Sequence, residues 1–152
     1  MNTPAFRSAV FRDIAVPDFA DVQIVVLPEG APTDPAGWAT AIFSFRSAPW
    51  PVRLLLGIRA LLVPLIGVPR SGSGGFQVGE VYGDEALIAV DDRHLDFRAG
   101  VGVDRDARLV RVTTAVRFNG WRGRLYFVPV GLLHGPVTRA MMTRASRRFT
   151  ER

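Results

Sequence analysis

The sequence contains no cysteine and no lysine. The absence of cysteine excludes a disulfide framework, a thiolate nucleophile and a metal site with thiolate ligands. The absence of lysine excludes Schiff-base chemistry and the lysine of a phosphate-binding P-loop. All 19 basic residues are therefore arginine, and against 14 acidic residues they give a net charge of +5. A charge of this size favours solubility more than it indicates an acidic partner.

Histidine is also scarce, since only His94 and His134 are present. A metal centre would need both of them and a carboxylate to converge, so we expect no metal and no other cofactor. No segment with a charged start, an apolar core and a small-residue cleavage site opens the chain, which predicts a cytoplasmic protein. We expect a single domain over residues 1–152, with an N-terminal arm at 1–14 and a tail at 149–152.

The clearest secondary-structure signal is an alternation of apolar and polar side chains over Arg93–Val103 and Arg108–Phe118. This period of two, rich in β-branched residues, predicts an antiparallel hairpin with one apolar face. The intervening Asp104–Ala107 holds an even number of residues, so both apolar faces point the same way. The predicted register places His94 opposite Arg117. Four residues of the apolar face are expected to be buried beneath a helix: Leu95, Phe97, Val112 and Val116.

Three further strands are predicted by short apolar or alternating runs that end at glycine, proline or aspartate. They are Asp21–Leu27, Phe76–Tyr82 and Ala86–Val90. The glycine-rich run Arg70–Gly75 lacks the Gly-Lys-Ser/Thr ending of a phosphate-binding loop, and we interpret it as a linker.

Two helices are predicted after the first strand. The first begins at Asp34 and Pro35, where the carboxylate caps free amides and proline occupies the first turn at no hydrogen-bond cost. The second, Pro51–Val68, is apolar nearly all round. Its two arginines, the central Pro64 and its short length argue against a membrane span. We interpret it as a buried helix, with an interfacial membrane helix as the alternative.

A long C-terminal helix is predicted from Trp121 onwards. Arginines crowd its end, where positive charge suits the helix dipole, and no aromatic residues are interleaved with them as a base-stacking surface would need. We therefore expect no nucleic-acid partner. The order of elements predicts an α+β fold in which this helix covers the apolar face of an antiparallel sheet. One stripe of the helix is marked by Leu125, Val128, Leu132, Pro136, Ala140 and Arg144.

The run Asp91–Arg98, with its motif His94-Leu95-Asp96-Phe97-Arg98, resembles the signature of a bacterial domain-of-unknown-function family, number 2867. The resemblance spans roughly residues 17–148. Such proteins are similar to the START-like (SRPBCC) superfamily. That similarity implies a helix-grip fold, in which a curved antiparallel sheet wraps around a long C-terminal helix and encloses an apolar cavity. Three further segments carry the resemblance: Ala48–Trp50 with the following Arg59 helix, Val112–Phe118, and Gly123–Tyr126 with the later His134.

Two functions remain open at this stage. The first is a module that binds a small hydrophobic or amphipathic molecule between the sheet and the C-terminal helix. The second is a small cyclase, isomerase or hydrolase that acts in the same cavity by acid–base catalysis. A protein that binds a partner or a membrane surface through Pro51–Val68 is a third option, and the oligomeric state is left open, a homodimer included. The expected ligand-binding residues are Trp38, Phe43, Trp50, Phe97, Thr114 and Tyr126.

Glu80 is the best candidate for a catalytic residue. A strict period of two in Phe76–Tyr82 places Val78, Glu80 and Tyr82 on one face of the strand. If that face lines the cavity, desolvation would disfavour the charged carboxylate and suit it to general acid–base catalysis, with Tyr82 orienting the carboxyl or a ligand oxygen. If the other face points inward, Glu80 is an ordinary surface carboxylate.

The three polar residues of the motif, His94, Asp96 and Arg98, are expected on the polar face of the hairpin. There they would form a solvated ladder of hydrogen bonds and weak ion pairs with neighbouring arginines. The alternative is that this face closes against a loop or a subunit and forms a site.

Overall fold

The computed structural model describes residues 7–44 and 77–151. Its helices are α1 (Val10–Asp13), α2 (Pro35–Phe43) and α3 (Trp121–Thr150). Its strands are β1 (Phe19–Val26), β2 (Val78–Tyr82), β3 (Glu85–Asp91), β4 (Leu95–Asp104) and β5 (Leu109–Phe118). The strands form one curved antiparallel sheet in the order β1-β5-β4-β3-β2, packed against the long C-terminal helix. The predicted α+β, helix-grip arrangement is confirmed. The predicted helix Pro51–Val68 and linker Arg70–Gly75 lie outside the described residues.

The predicted hairpin is formed by β4 and β5. Val101 pairs with Val112 and Val103 pairs with Val110, and all four side chains are buried. We call the side of the sheet that carries these residues the inner face and the opposite side the outer face. Of the four residues expected beneath a helix, Val112 and Val116 are buried, whereas Leu95 and Phe97 are half-buried.

The register of the hairpin differs by two residues from the predicted one. Arg117 lies opposite Asp96 and not opposite His94. In the structure β4 continues to Asp104, whose carboxylate accepts a hydrogen bond from the Ala107 N–H at 2.8 Å within the turn. A shift of two residues leaves every side chain on its predicted face, so the apolar alternation cannot distinguish the two registers.

Helix α2 covers one part of the inner face. It begins where the sequence predicts, because the Asp34 carboxylate accepts a hydrogen bond from the Gly37 N–H at 2.7 Å. Trp38 is fully buried, stacks at a tilt on Phe149 of α3 and donates its indole N–H to the Pro32 carbonyl at 2.7 Å. The core between the sheet and the two helices is completed by Ile42, Ala86, Ile88, Ala99, Val101, Val103, Val110, Val112, Met142 and Ala145.

Helix α3 lies with one side on the sheet and the other in solvent. It comes close to the start of β4 at Gly123, where a β-carbon would lie 2.0 Å from the carbonyl oxygen of His94, so only glycine fits. The stripe that begins with Leu125, Val128 and Leu132 lies on the solvent side. Among the described helices, none is both long and apolar enough to cross a bilayer. The buried residues of α3 are Gly123, Phe127, Thr138, Met142 and Ala145.

The described residues before β1 pack on the outer face of the sheet. Val10 and Ile14 are buried there. The carboxylate of Glu85, which is also buried, accepts hydrogen bonds from the Ser8 hydroxyl at 2.8 Å and from the Ala9 N–H at 2.6 Å. These contacts join residues more than seventy positions apart, so no local sequence pattern could have indicated them.

Gly100 leaves space for the buried carboxylate of Glu85. A β-carbon at position 100 would lie 2.4 Å from Oε1 of Glu85, on the strand next to it. We therefore expect Gly100→Ala to displace the carboxylate and release Ser8 and Ala9. The free energy of unfolding should fall by about 1–3 kcal/mol, as for other overpacked sites. Chemical denaturation measures this loss, and amide hydrogen exchange at residues 8–14 should accelerate.

The control for this prediction is the same substitution in a Glu85→Ala background. Without the carboxylate there is nothing for the new methyl group to displace, so Gly100→Ala should then cost less than about 0.5 kcal/mol. An equal cost in both backgrounds would show that Glu85 and Gly100 are not coupled.

Candidate functional site

Four polar side chains meet on the inner face, between the β1–β5 pair and the middle of α3. Asp21 and Gln23 lie on β1, at positions where the strand alternates towards the helix. Thr114 of β5 is the direct pairing partner of Asp21. His134 reaches them from α3. We call these four residues the polar cluster.

Two members of the polar cluster, Thr114 and Asp21, approach the same nitrogen of His134. Nε2 of His134 lies 3.1 Å from the Thr114 hydroxyl oxygen and 3.9 Å from Oδ2 of Asp21. The Gln23 side-chain amide donates to the same Asp21 oxygen at 3.0 Å. Gly135, next to the histidine, leaves space for that amide, since a β-carbon there would approach it to 3.3 Å.

Aromatic rings flank the polar cluster. The edge of the His134 ring meets Phe19 with a centroid separation of 5.5 Å and an interplanar angle of 87°. Phe127 of α3 lies 4.8 Å from Phe19 and 5.1 Å from Phe118, measured between ring centroids. Polar and apolar surfaces are therefore adjacent at this point of the inner face.

Burial controls the charge of the histidine. Only 14% of the His134 side chain is exposed, and this desolvation lowers its pKa below the ordinary value of 6.5. The nearby Asp21 carboxylate, 24% exposed, acts in the opposite direction without cancelling the effect. His134 is therefore neutral at physiological pH, and its Nε2 can donate or accept a hydrogen bond according to its tautomer.

The geometry limits the chemistry that is possible here. A charge relay needs the carboxylate and the hydroxyl on opposite nitrogens of the imidazole, whereas Asp21 and Thr114 both lie next to Nε2. The polar cluster therefore does not have the arrangement of a hydrolase triad. Within residues 7–44 and 77–151, no three histidine or carboxylate side chains are grouped closely enough to hold a metal ion.

The predicted ligand-binding residues that the structure describes lie in different parts of the fold. Trp38 of α2 is buried in the core, and Phe43 of α2 and Phe97 of β4 pack against that core. Tyr126 is exposed on α3, and Trp50 lies outside the described residues. Thr114, the sixth predicted ligand-binding residue, belongs to the polar cluster.

The predicted catalytic pair, Glu80 and Tyr82, lies at the exposed edge of the sheet. Val78 pairs with an inner-face residue, but a bulge before Val81 interrupts the alternation and turns Tyr82 to the outer face. There the tyrosine hydroxyl donates a hydrogen bond to Glu80, which raises the pKa of Tyr82, and Arg12 lies over its ring at 4.9 Å. Because Glu80 is exposed, the desolvation that the catalytic hypothesis required is absent.

Asp96 of the family motif is buried on the outer face. Its carboxylate accepts hydrogen bonds from Nε of Arg117 at 3.1 Å and from the Asn119 amide at 3.1 Å. Burial alone would raise the pKa of Asp96, but these hydrogen bonds and the charges of Arg117 and Arg98 outweigh it and lower the pKa below its ordinary value. The main chain of His94 also contacts Asn119, because its carbonyl accepts a hydrogen bond from the Asn119 N–H at 2.8 Å.

Arg98, the last residue of the motif, connects α1 to the sheet. Its guanidinium donates to Asp13 at 2.8 Å and to Asp91 at 2.6 Å, and only 12% of its side chain is exposed. The ion pairs of Asp96 and Arg98 are present, and these two side chains are mostly buried although the sequence predicts a solvated ladder, whereas their partners Arg117, Asp13 and Asp91 are exposed. The residues before β1 account for the difference, because they cover this part of the outer face.

Sequence reasoning did not link His134 to Asp21 and Gln23. A usable signal was present in β1, where two polar residues occupy positions that alternate with the exposed Val22 and Ile24. Polar side chains on the helix-facing side of an otherwise apolar strand need partners, and a histidine in the covering helix is a suitable one.

A titration of His134 tests this electrostatic description. We expect its imidazole signals in NMR to give a pKa below 6.5, and Asp21→Asn to lower that pKa further by removing the favourable carboxylate. Because the pKa of His134 is lower in the folded protein than in the unfolded chain, the unfolded chain binds a proton at His134 more readily as the pH falls. The contribution of His134 to stability is therefore complete above about pH 6.5 and is lost as the pH falls below it. A pKa above 6.5, or one that does not respond to Asp21→Asn, would contradict the description.

Comparison with known proteins agrees with the resemblance seen in the sequence. A family model described as "Protein of unknown function (DUF2867)" matches residues 14–141. A search of curated proteins and a search of solved structures gave no match. The similarity to the START-like superfamily therefore stays a prediction. The chain belongs to the DUF2867 family of proteins of unknown function.

Proposed function

We propose that this domain binds a small amphipathic molecule between β1 and α3. The polar part of the ligand would contact the polar cluster, and its apolar part would lie on the neighbouring phenylalanine rings. The observation that carries the proposal is the partly buried polar cluster itself, set among Phe19, Phe118 and Phe127 on an inner face that is otherwise apolar. Small-molecule sites have this composition, with a few convergent polar groups in a mainly apolar surface.

The charges of the cluster favour certain polar groups. With a neutral His134, the carboxylate of Asp21 is the one charged group in the cluster. It would repel an anionic ligand and accept hydrogen bonds from a hydroxyl or an amine. Thr114 and Gln23 can each donate or accept, so an oxygen on the ligand would also find partners. A hydroxyl or amine on an apolar skeleton fits these properties better than a fatty acid does.

The aromatic surface supplies the affinity. Each square ångström of apolar ligand surface that is buried contributes about 25 cal/mol, so a skeleton of a few carbon atoms on the phenylalanine rings adds several kcal/mol before the costs of association. The polar cluster then determines the orientation.

Acid–base catalysis at the same place is the alternative function. It is favoured by a neutral His134 that is 3.1 Å from a hydroxyl and 3.9 Å from a carboxylate, since a neutral imidazole can accept a proton from a bound molecule. Isomerisation or cyclisation needs one such base and no relay. A product assay on any ligand that binds tests it: turnover would be lost in His134→Gln while binding is retained.

A thermal-shift screen with molecules that share one alkyl skeleton and differ in the polar group tests the binding proposal. We expect the alcohol and the amine to raise Tm more than the carboxylate or the plain hydrocarbon. A ligand at about 100 times its Kd stabilises the folded state by roughly 2.7 kcal/mol, which is readily measured. Asp21→Asn should abolish the preference for the amine.

Glu80→Gln is the matched control, because it makes the same acid-to-amide change outside the polar cluster. It should leave every shift unchanged. The proposal is wrong if no amphipathic compound stabilises the protein. It is also wrong if Asp21→Asn and Thr114→Val leave the shifts as they are, or if Glu80→Gln is the variant that loses them.

A further inference from the structure

The solvent side of α3 carries an apolar row. Trp121, Leu125, Val128 and Leu132 follow one another at intervals of four, three and four residues, which places them on one side of a helix. Each of these side chains is between 62% and 77% exposed. We call these four residues the apolar row. Large apolar side chains rarely line up in this way on the surface of a soluble monomer, and contiguous patches of them mark interaction sites.

In the second half of α3, arginines lie on the side of the helix that carries the apolar row in the first half. Pro136, Arg139 and Thr143 extend the spacing of the apolar row, and a shallow groove of about 620 Å³ runs along this part of the helix. Six arginines and no acidic residue occur in Trp121–Thr150. We call the groove-lining arginines, which are Arg139, Arg144 and Arg147, the arginine surface.

We propose that the solvent side of α3 docks onto an anionic lipid bilayer. The apolar row would enter the boundary between headgroups and acyl chains, with the indole of Trp121 at the level of the headgroups, and the arginine surface would contact lipid phosphates. A helix that combines exposed tryptophan and leucine with arginine has the composition of interfacial membrane helices. Basic residues near an anionic leaflet each add attraction of their own. This inference uses the opposite side of α3 from the polar cluster and is independent of the proposed function.

The charge of α3 favours a membrane over a second copy of the chain as the binding partner of its solvent side. Two copies that met through this side of α3 would bring arginines together with no carboxylate from either helix, since α3 has none. An anionic bilayer satisfies the apolar row and the arginine surface at the same time. The net charge of +5 acts in the same direction.

Vesicle co-sedimentation with the full chain tests the proposal. We expect binding to vesicles of phosphatidylcholine mixed with phosphatidylglycerol, and binding weaker by about tenfold or more to pure phosphatidylcholine. Raising the salt concentration should weaken binding to the mixed vesicles, because screening reduces the attraction between exposed charges. Lipids brominated in the acyl chain should quench tryptophan fluorescence, and Trp121→Phe should remove most of that quenching.

The variant Leu125→Asp/Leu132→Asp should reduce binding to the mixed vesicles by more than about tenfold. Its matched control is Val16→Asp/Val26→Asp, which adds the same charge at side chains that are 84% and 69% exposed elsewhere, and which should bind nearly as well as the parent. If circular dichroism shows that the first variant does not fold, the proposal is still tested by the lipid dependence of binding by the parent protein and by the quenching of Trp121.

Three results would overturn the proposal. The first is that the parent protein does not bind anionic vesicles. The second is that Leu125→Asp/Leu132→Asp binds them as well as the parent does and that Trp121 is not quenched. The third is that light scattering shows a dimer of the parent, that Leu125→Asp/Leu132→Asp is monomeric, and that neither protein binds vesicles. The last result would identify this side of α3 as a self-association surface.

Discussion

The pairing of Val101 with Val112 at the centre of the sheet fixes the register of β4 against β5. Because side chains alternate along each strand, this pair determines which residues of every paired strand face α3 and which face away. It places Asp21 of β1 under the helix through β5, and Glu85 of β3 on the outer face through β4. The apolar core and the two polar networks of the sheet follow from that one register.

The two faces use polar residues in different ways. On the outer face, Asp96 and Arg98 each have two ionic or amide partners close enough for hydrogen bonds, so their charges are satisfied within the fold. Through these contacts Arg98 joins α1 to the sheet, and Asp96 joins the start of β4 to the end of β5. On the inner face, His134 and Asp21 are 3.9 Å apart and partly open. Groups with remaining hydrogen-bonding capacity can bind a ligand, and for this reason the proposed site lies under α3 and not at the motif.

How much of this was predictable depends on the range of the contacts involved. The hairpin, the cap at Asp34 and the start of α3 at Trp121 follow from local patterns, and each was predicted. The bulge that turns Tyr82 outward was not, since a short edge strand carries too little alternation to determine its own register. The anchoring of Ser8 by Glu85 and the approach of His134 to Asp21 join distant segments. Contacts of that kind depend on tertiary packing, and one sequence shows no periodicity for them.

A crystal structure with the best-stabilising alcohol or amine would show whether a ligand contacts the inner face at the polar cluster. We expect the polar group of the compound to lie within hydrogen-bond distance of Asp21, Thr114 or His134, and its apolar part to lie against Phe19 or Phe127. Density for the compound on the solvent side of α3, on the outer face beside Asp96, or in the core around Trp38 would show that the polar cluster is not the binding site.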